Sequence, residues 1–232
     1  MAKENIIISL GGSLVCPAGL PDKSGGIDVV FLKSFKKLVL KYLDSKKFFM
    51  FVGGGAVCRD YQKALLEFGA DNKERDWMGI SISRLNAQIV KQVFTEVAFD
   101  KVVTDPVKKV NSRKDVAIFA GWKPGWSTDY CSVMLAKNMG IKTIVNLTNI
   151  DYVYDKDPRK LKDAKPFKEI DWKSFRQIVG DKWTPGLSAP FDPRASKMAE
   201  ILKIKVVIIN GAYLERLDNF LNNKTFIGTV IK

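Results

Sequence analysis

The chain has 232 residues, 46% of them apolar, with 38 basic against 25 acidic side chains, three cysteines and no histidine. The length allows one large domain or two small ones around a buried core. No run approaches the ~20 apolar residues of a membrane span, and MAKENIIISLGG lacks the cationic start and cleavage site of a secretory leader, so a cytoplasmic protein is expected. The missing imidazole excludes any mechanism that needs a histidine base, ligand or switch. Cys16, Cys58 and Cys131 form no C-x-x-C pair and read as reduced thiols, not a disulfide framework or zinc cluster.

In chain order, strand-length apolar runs fall at residues 5–10, 47–52, 116–120, 142–147 and 204–209, with amphipathic stretches between most of them. The spacing predicts helices over 28–45, 57–68, 78–98, 129–139, 171–179 and 194–203, with Asp28 and Asp171 as caps, and a closing strand in TFIGTVIK. This β-α-β rhythm predicts a mostly parallel sheet with helices on both faces. Residues 151–190, rich in Pro, Lys and Asp, read as loop-dominated. No repeat, low-complexity tract or Gly/Ser linker marks a domain boundary.

The first strand, IIIS, runs into LGGSL. Paired glycines let backbone N–H groups approach a phosphate, yet there is no G-x-x-x-x-G-K-S/T, so this is not a Walker loop. Gly53, Gly54 and Gly55 follow the second strand, with Arg59 in the next helix; WKPGWSTD (122–129) follows the third; LTNIDYVYDKDP (147–158) follows the fourth. Each cluster has a purely structural reading: a tight turn, a helix cap at Ser127, Thr128 and Asp129, a loop stop at Asp157 and Pro158. Together, after successive parallel strands, they deliver amides, hydroxyls and an arginine to one sheet edge, where open α/β sheets bind ligands. Such a surface suits several phosphate groups.

SLGGSL, VGGGAVCRDY, DWMGISISRLNA, GWKPGWSTDY, NLTNIDYVYDKDP, PFDPRASK and the terminal GT together resemble the amino acid kinase superfamily, and within it the archaeal-type UMP kinases, from about residue 6 to 229. The resemblance implies a three-layer α/β/α sandwich with a mostly parallel central sheet, as a single domain over 1–232. Its first part would mainly bind UMP, and the part from about 145 mainly ATP. It implies direct transfer of the ATP γ-phosphoryl group to UMP, with Mg²⁺ bound through ATP phosphates, and a ring-like homohexamer. Gly12 and Ser13 would hold ATP phosphates, Gly55 the transferring phosphate, and Thr148, Tyr154 and Asp157 the adenosine end of ATP. Gly54 and Asp76 would bind UMP, Asp76 through its ribose hydroxyls. Trp122, Lys123, Pro124, Gly125, Trp126, Ser127 and Thr128 would wrap UMP, Thr128 on its phosphate. Arg59, Asp192 and Lys197 would be catalytic, Arg59 also touching ATP.

The chemistry is consistent with a site lacking histidine. The acceptor oxygen of a nucleoside monophosphate is already ionised, so in-line placement and charge stabilisation suffice. Two departures from the family pattern bear on this: Ser9 stands where many relatives have a lysine, and Tyr152 replaces a glycine. The alternatives are a catalytically weakened nucleotide or metal-oxyanion binding and storage protein on the same fold, a kinase for another small acid acceptor, and, third, nucleic-acid binding driven by the +13 charge. Nucleic acid is not expected, because the basic residues are scattered along helical segments such as FLKSFKKLVLKYLDSKK instead of interleaved with aromatics. Trp122 and Trp126 either stack on a ligand or pack the subunit, with packing favoured.

Overall fold

A computed structural model describes residues 3–18, 26–108, 110, 113–158, 160–187 and 189–232. The chain runs β1 (Glu4–Leu10), α1 (Gly12–Val15), α2 (Val29–Leu40), β2 (Lys46–Val52), α3 (Gly55–Glu67), α4 (Asn72–Val93), β3 (Val116–Phe119), α5 (Thr128–Met139) and β4 (Thr143–Thr148). It continues through β5 (Val153–Tyr154), β6 (Pro166–Phe167), β7 (Glu169–Ile170), α6 (Trp172–Val179), α7 (Pro193–Ile201), β8 (Lys205–Asn210), α8 (Leu214–Leu221) and β9 (Thr229–Ile231).

Seven strands form one sheet in the order β3-β2-β1-β4-β8-β9-β7. The pairings are parallel except β8 with β9. Strand alternation sorts the side chains into two cores. Ile6, Ile8, Leu10, Met50, Ile118 and Val207 face α2, α4 and α8, meeting Phe35, Val90 and Leu217. Ile7, Phe51, Phe119, Ile144 and Ile208 face α5, α6 and α7, meeting Val133, Phe175 and Ala199. The sheet is therefore covered on both faces, which is why its strands read as continuous apolar runs. Each fully buried Leu, Ile or Phe contributes about 1.5–3 kcal/mol of transfer free energy. The expected three-layer α/β/α sandwich is the fold observed.

The five expected strands all form, and Asp28 and Asp171 cap α2 and α6 by accepting from Phe31 N–H and Ser174 N–H. Three differences have local causes. Helix α4 begins at Asn72 and not near 78, because Asp71 and Glu74 form a reciprocal capping box. Helix α2 stops at Leu40 and not at 45, where Tyr42 N–H turns back to the Val39 carbonyl and the chain enters β2. Helix α8 lay outside the sequence reading, although Leu217 and Leu221 face the core one turn apart. Within 151–190, β5 and β6 pair apart from the main sheet, while β7 joins its edge.

The strand order reverses between β1 and β4: β2 and β3 lie on one side of β1, and β8 lies beyond β4. Crevices at such a switch point, beyond the carboxyl ends of the strands, take ligands. The SLGGS turn leaves β1 there.

Candidate active site

The glycine turns after β1 and β2 press backbone on backbone. A Cβ on Gly12 would lie 2.2 Å from the Gly55 nitrogen and 2.5 Å from the Gly53 oxygen. Gly55 has φ +73°, and a Cβ there would lie 2.5 Å from the Gly12 oxygen. No side chain fits between two main chains so close. Gly11 N–H donates to the Leu147 carbonyl at 2.8 Å, tying the turn to the end of β4.

Helix α4 fixes the ends of β2 and β3 through its polar face. Ser83 Oγ donates to the Val52 carbonyl at 2.7 Å and accepts from Gly121 N–H at 2.9 Å. Arg84 donates to the carbonyls of Gly121 and Trp122 at 3.1 and 3.0 Å, and Asn86 Nδ2 to that of Gly53 at 2.9 Å. Much of the DWMGISISRLNA signal is thus scaffolding: each of these side chains satisfies a backbone group where a strand ends.

The loop from Gly121 to Ser127 is gripped from both sides. Asp76 on α4 accepts from Gly125 N–H at 2.7 Å, while Arg194 on α7 donates to the Gly125 carbonyl, also at 2.7 Å. Gly125 sits at φ +80°. The Trp126 ring packs edge-on between Trp122 and Tyr130, both at 4.7 Å, and Lys123 Nζ lies 4.1 Å from the Trp122 ring centre. Both tryptophans pack against the second core, and Trp126 also lines the cavity beside it. Ser127 caps α5, accepting from Tyr130 N–H at 3.0 Å.

One cavity gathers Gly54, Gly55, Arg59, Asp76, Ser127 and Thr128 from α3, α4 and the α5 N-terminus. Cys58 also lines it, and burial pushes its thiol up to about 11, so it is no ready nucleophile. Burial likewise raises Asp76, against the lowering by Gly125 N–H.

Beside this cavity two carboxylates meet. Asp129 Oδ1 accepts from Ser9 Oγ at 2.9 Å and its Oδ2 from Asp192 N–H at 3.1 Å. Asp192 caps α7, accepting from Ala195 N–H at 2.7 Å. Asn146 on β4 donates to the Pro190 carbonyl at 2.8 Å, holding the chain just before Asp192. Burial first, and then the charge of Asp192, push the Asp129 carboxyl up to about 7; Ser9 and Asp192 N–H act against them. Asp192 is itself raised by burial.

The sequence model of the Amino acid kinase family matches residues 4–210. The chain belongs to the amino acid kinase family. It is 32% identical to the uridylate kinase of Pyrococcus abyssi over 222 residues, 94% of this chain and 96% of that one. It is also 32% identical to the uridylate kinase of Methanococcus aeolicus over 230 residues, 97% and 98% of the two chains. The crystal structure of uridylate kinase from Archaeoglobus fulgidus superposes with a TM-score of 0.79 at 28% identity, over 98% of this chain and 99% of that one. UMP kinase from Ureaplasma parvum, at 19% identity and TM-score 0.79 over the whole of both chains, shares the fold.

In this amino acid kinase chain the expected site residues other than Asp192, beside the cavity, and Lys197 fall into three groups. Gly54, Gly55, Arg59, Asp76, Trp126, Ser127 and Thr128 line the common cavity. Gly12 packs on its floor-forming glycines, Ser13 follows in α1, and Trp122 to Gly125 form the loop beside it. Thr148 ends β4, Tyr154 lies on β5 with its ring 6.4 Å from that of Tyr152, and Asp157 follows, its carbonyl accepting from Lys160 and Leu161 N–H. Lys197 is exposed on α7. Sequence reasoning missed Gln62, Arg84 and Arg194, and saw Asp129 only as part of a cap. The one available signal was spacing: Gln62 follows Arg59 by three residues, on the same face of α3.

Proposed function

We propose that the chain is an ATP-dependent UMP kinase that transfers the γ-phosphoryl group of ATP directly to UMP, giving UDP and ADP. The observation that carries this reading is the convergence of Arg59, Asp76 and Thr128 in one cavity at the sheet edge, in a chain related over nearly its full length to uridylate kinases. A guanidinium, a carboxylate suited to ribose hydroxyls, and a hydroxyl at a helix N-terminus form a set complementary to a nucleoside monophosphate.

In this reading Gly54, Asp76 and the 122–128 loop hold UMP, with Thr128 and the first amides of α5 on its phosphate. Gly12, Ser13 and Gly55 present backbone to the ATP phosphates, and Arg59 spans the donor and acceptor charges. Thr148, Tyr154 and Asp157 take the adenosine end, so residues before about 145 mainly serve UMP and those after mainly ATP. A phosphate oxygen of UMP attacks the γ-phosphorus as the bond to the bridging oxygen of ADP breaks. No proton need leave the ionised nucleophile. Arg59, Lys197 and the interlocked glycine amides stabilise charge on the moving group.

Mg²⁺ comes with ATP, held through its phosphate oxygens, and when bound supplies positive charge at the transferring group. Asp192 is a buried carboxylate already engaged by Ala195 N–H, Ser127 and Arg194 N–H, which fits a metal held chiefly through ATP, with at most one oxygen from Asp192. Asp129, accepting from Asp192 N–H, holds the main chain at Asp192 in place. Ser9 gives Asp129 a hydrogen bond where a lysine would give a charge.

The test is steady-state UDP formation from ATP, Mg²⁺ and UMP, with CMP, dUMP and GMP in parallel and a Ser9→Lys variant alongside. Turnover selective for UMP is expected, with the lysine variant at least as fast. Absence of UDP from both proteins would overturn the reading. A cytoplasmic homohexamer acting in pyrimidine nucleotide synthesis completes the proposal, and light scattering of the purified protein tests the assembly.

A further inference from the structure

Gln62 is 4% exposed, yet its Oε1 has no hydrogen-bond partner among the described residues. The amide cannot relieve this by flipping, because its Nε2 is already committed to the Arg75 carbonyl at 3.0 Å. A flip would set oxygen against oxygen, so Oε1 is fixed as an acceptor. It belongs to the wall of the cavity that holds Arg59 and Asp76, one helical turn beyond Arg59 on α3. Its neighbours are glycines: a Cβ on Gly79 would lie 2.7 Å from Nε2, and one on Gly186 would lie 3.1 Å from Oε1. Gly186, at φ +82°, sits in the turn Thr184–Leu187 beside the oxygen, and that turn lines the same cavity. That turn is tied to α4 by Arg75 Nη2 donating to the Pro185 carbonyl at 3.2 Å.

A buried, unpaired acceptor is costly unless a ligand satisfies it. We propose that Gln62 is a specificity-determining residue for the acceptor nucleotide, its Oε1 taking a hydrogen bond from an N–H or O–H donor of the nucleoside seated between the α3–α4 pair and the Thr184–Leu187 turn. This rests on the UMP kinase reading. The donor is either the imide N–H of uracil or a ribose hydroxyl. A pocket built to pair such a group rejects an analogue that lacks it, because the oxygen is then left buried and unpaired.

The experiment compares the parent protein with Gln62→Met, which keeps the volume and removes the acceptor, using UMP, dUMP and N3-methyl-UMP. In the variant KM for UMP is expected to rise about fivefold to thirtyfold, with KM for ATP within about twofold of the parent. The parent's discrimination against one analogue should collapse: against N3-methyl-UMP if the base is read, against dUMP if the 2′-hydroxyl is. Unchanged KM for UMP and unchanged discrimination would overturn the proposal and leave the kinase reading intact. A parent that neither turns over UMP nor gains thermal stability from it would overturn both.

Should Gln62→Met fail to fold, the parent alone decides: its kcat/KM for UMP is expected to exceed that for N3-methyl-UMP or that for dUMP by about tenfold or more. Equal kcat/KM for all three nucleotides in the parent would overturn the proposal.

Discussion

The cavity proposed for the acceptor and the segment proposed for adenosine are built differently. Around the cavity, side chains from two layers bind the main chain at each strand end: Ser83, Arg84 and Asn86 from α4, Asp76 and Arg194 on either side of Gly125. At the other end, Tyr154 sits on a two-residue strand paired only with β6, outside the main sheet. Some hydrogen bonds there are local, from Lys165 N–H to Asp155 and from Leu161 N–H to the Asp157 carbonyl, while Val153 N–H to Thr229 Oγ1 at 2.9 Å and Asn210 and Arg216 to Asp151 tie the segment to β9, β8 and α8. The difference suggests how a nucleotide kinase divides its task. In the proposed function a wall fixed by side chains discriminates between acceptors at little ordering cost, whereas a segment outside the main sheet accommodates a cosubstrate that arrives with its own charge and metal.

Four substitutions break or sharpen this contrast. The largest effect is expected from Arg59→Ala, which removes the cation proposed to face both substrates: kcat for UDP formation should fall about a hundredfold, near 3 kcal/mol, with the thermal midpoint little changed. A fall confined to KM for one nucleotide would place Arg59 on one side only. Gly12→Ala should disturb both regions at once, since its Cβ would meet the Gly53 and Gly55 backbone. About 1–3 kcal/mol of stability should be lost in denaturant titrations, and both KM values should rise.

The Asp129 carboxyl gives a pH signature. Its native value of about 7 lies above the ordinary 3.8, so between about pH 4 and pH 7 the folded protein keeps a proton that the unfolded chain has released. Stability from this group is complete below that window and is lost as pH rises through it. Asp129→Asn should flatten the slope, because an amide does not titrate, and it should keep the fold, since the amide can still accept from Asp192 N–H and donate to Ser9 Oγ. An unaltered slope in urea titrations across this range would refute the assignment. The smallest effect belongs to Arg194→Met, which frees the Gly125 carbonyl: KM for UMP should rise about threefold to tenfold, the worth of one hydrogen bond, while KM for ATP stays put. Equal changes in both would mean the two regions are not separable.

Much of the fold could be read from the chain. Strands buried on both faces are apolar along their length, so 5–10 and 204–209 announce themselves without structural help. The caps at Asp28 and Asp171 were legible because an N-cap is a local event, closed within three residues. Helix α8 lay outside that reading, although its facing leucines are spaced as a helix requires.

For the site, the sequence by itself determined which chemical groups gather at the strand ends, since a parallel sheet sends every loop of one kind to the same edge. By containing no histidine, it also excluded an imidazole base, ligand or switch. Only the tertiary structure decided that Ser9 meets Asp129 across 120 residues of chain, that Gly125 is shared by Asp76 and Arg194, and that Gln62 keeps an oxygen unpaired. Those facts depend on the relative placement of distant backbones to a fraction of an ångström. Hydrogen bonds are decided at that scale, and residue identity and spacing along the chain do not carry it.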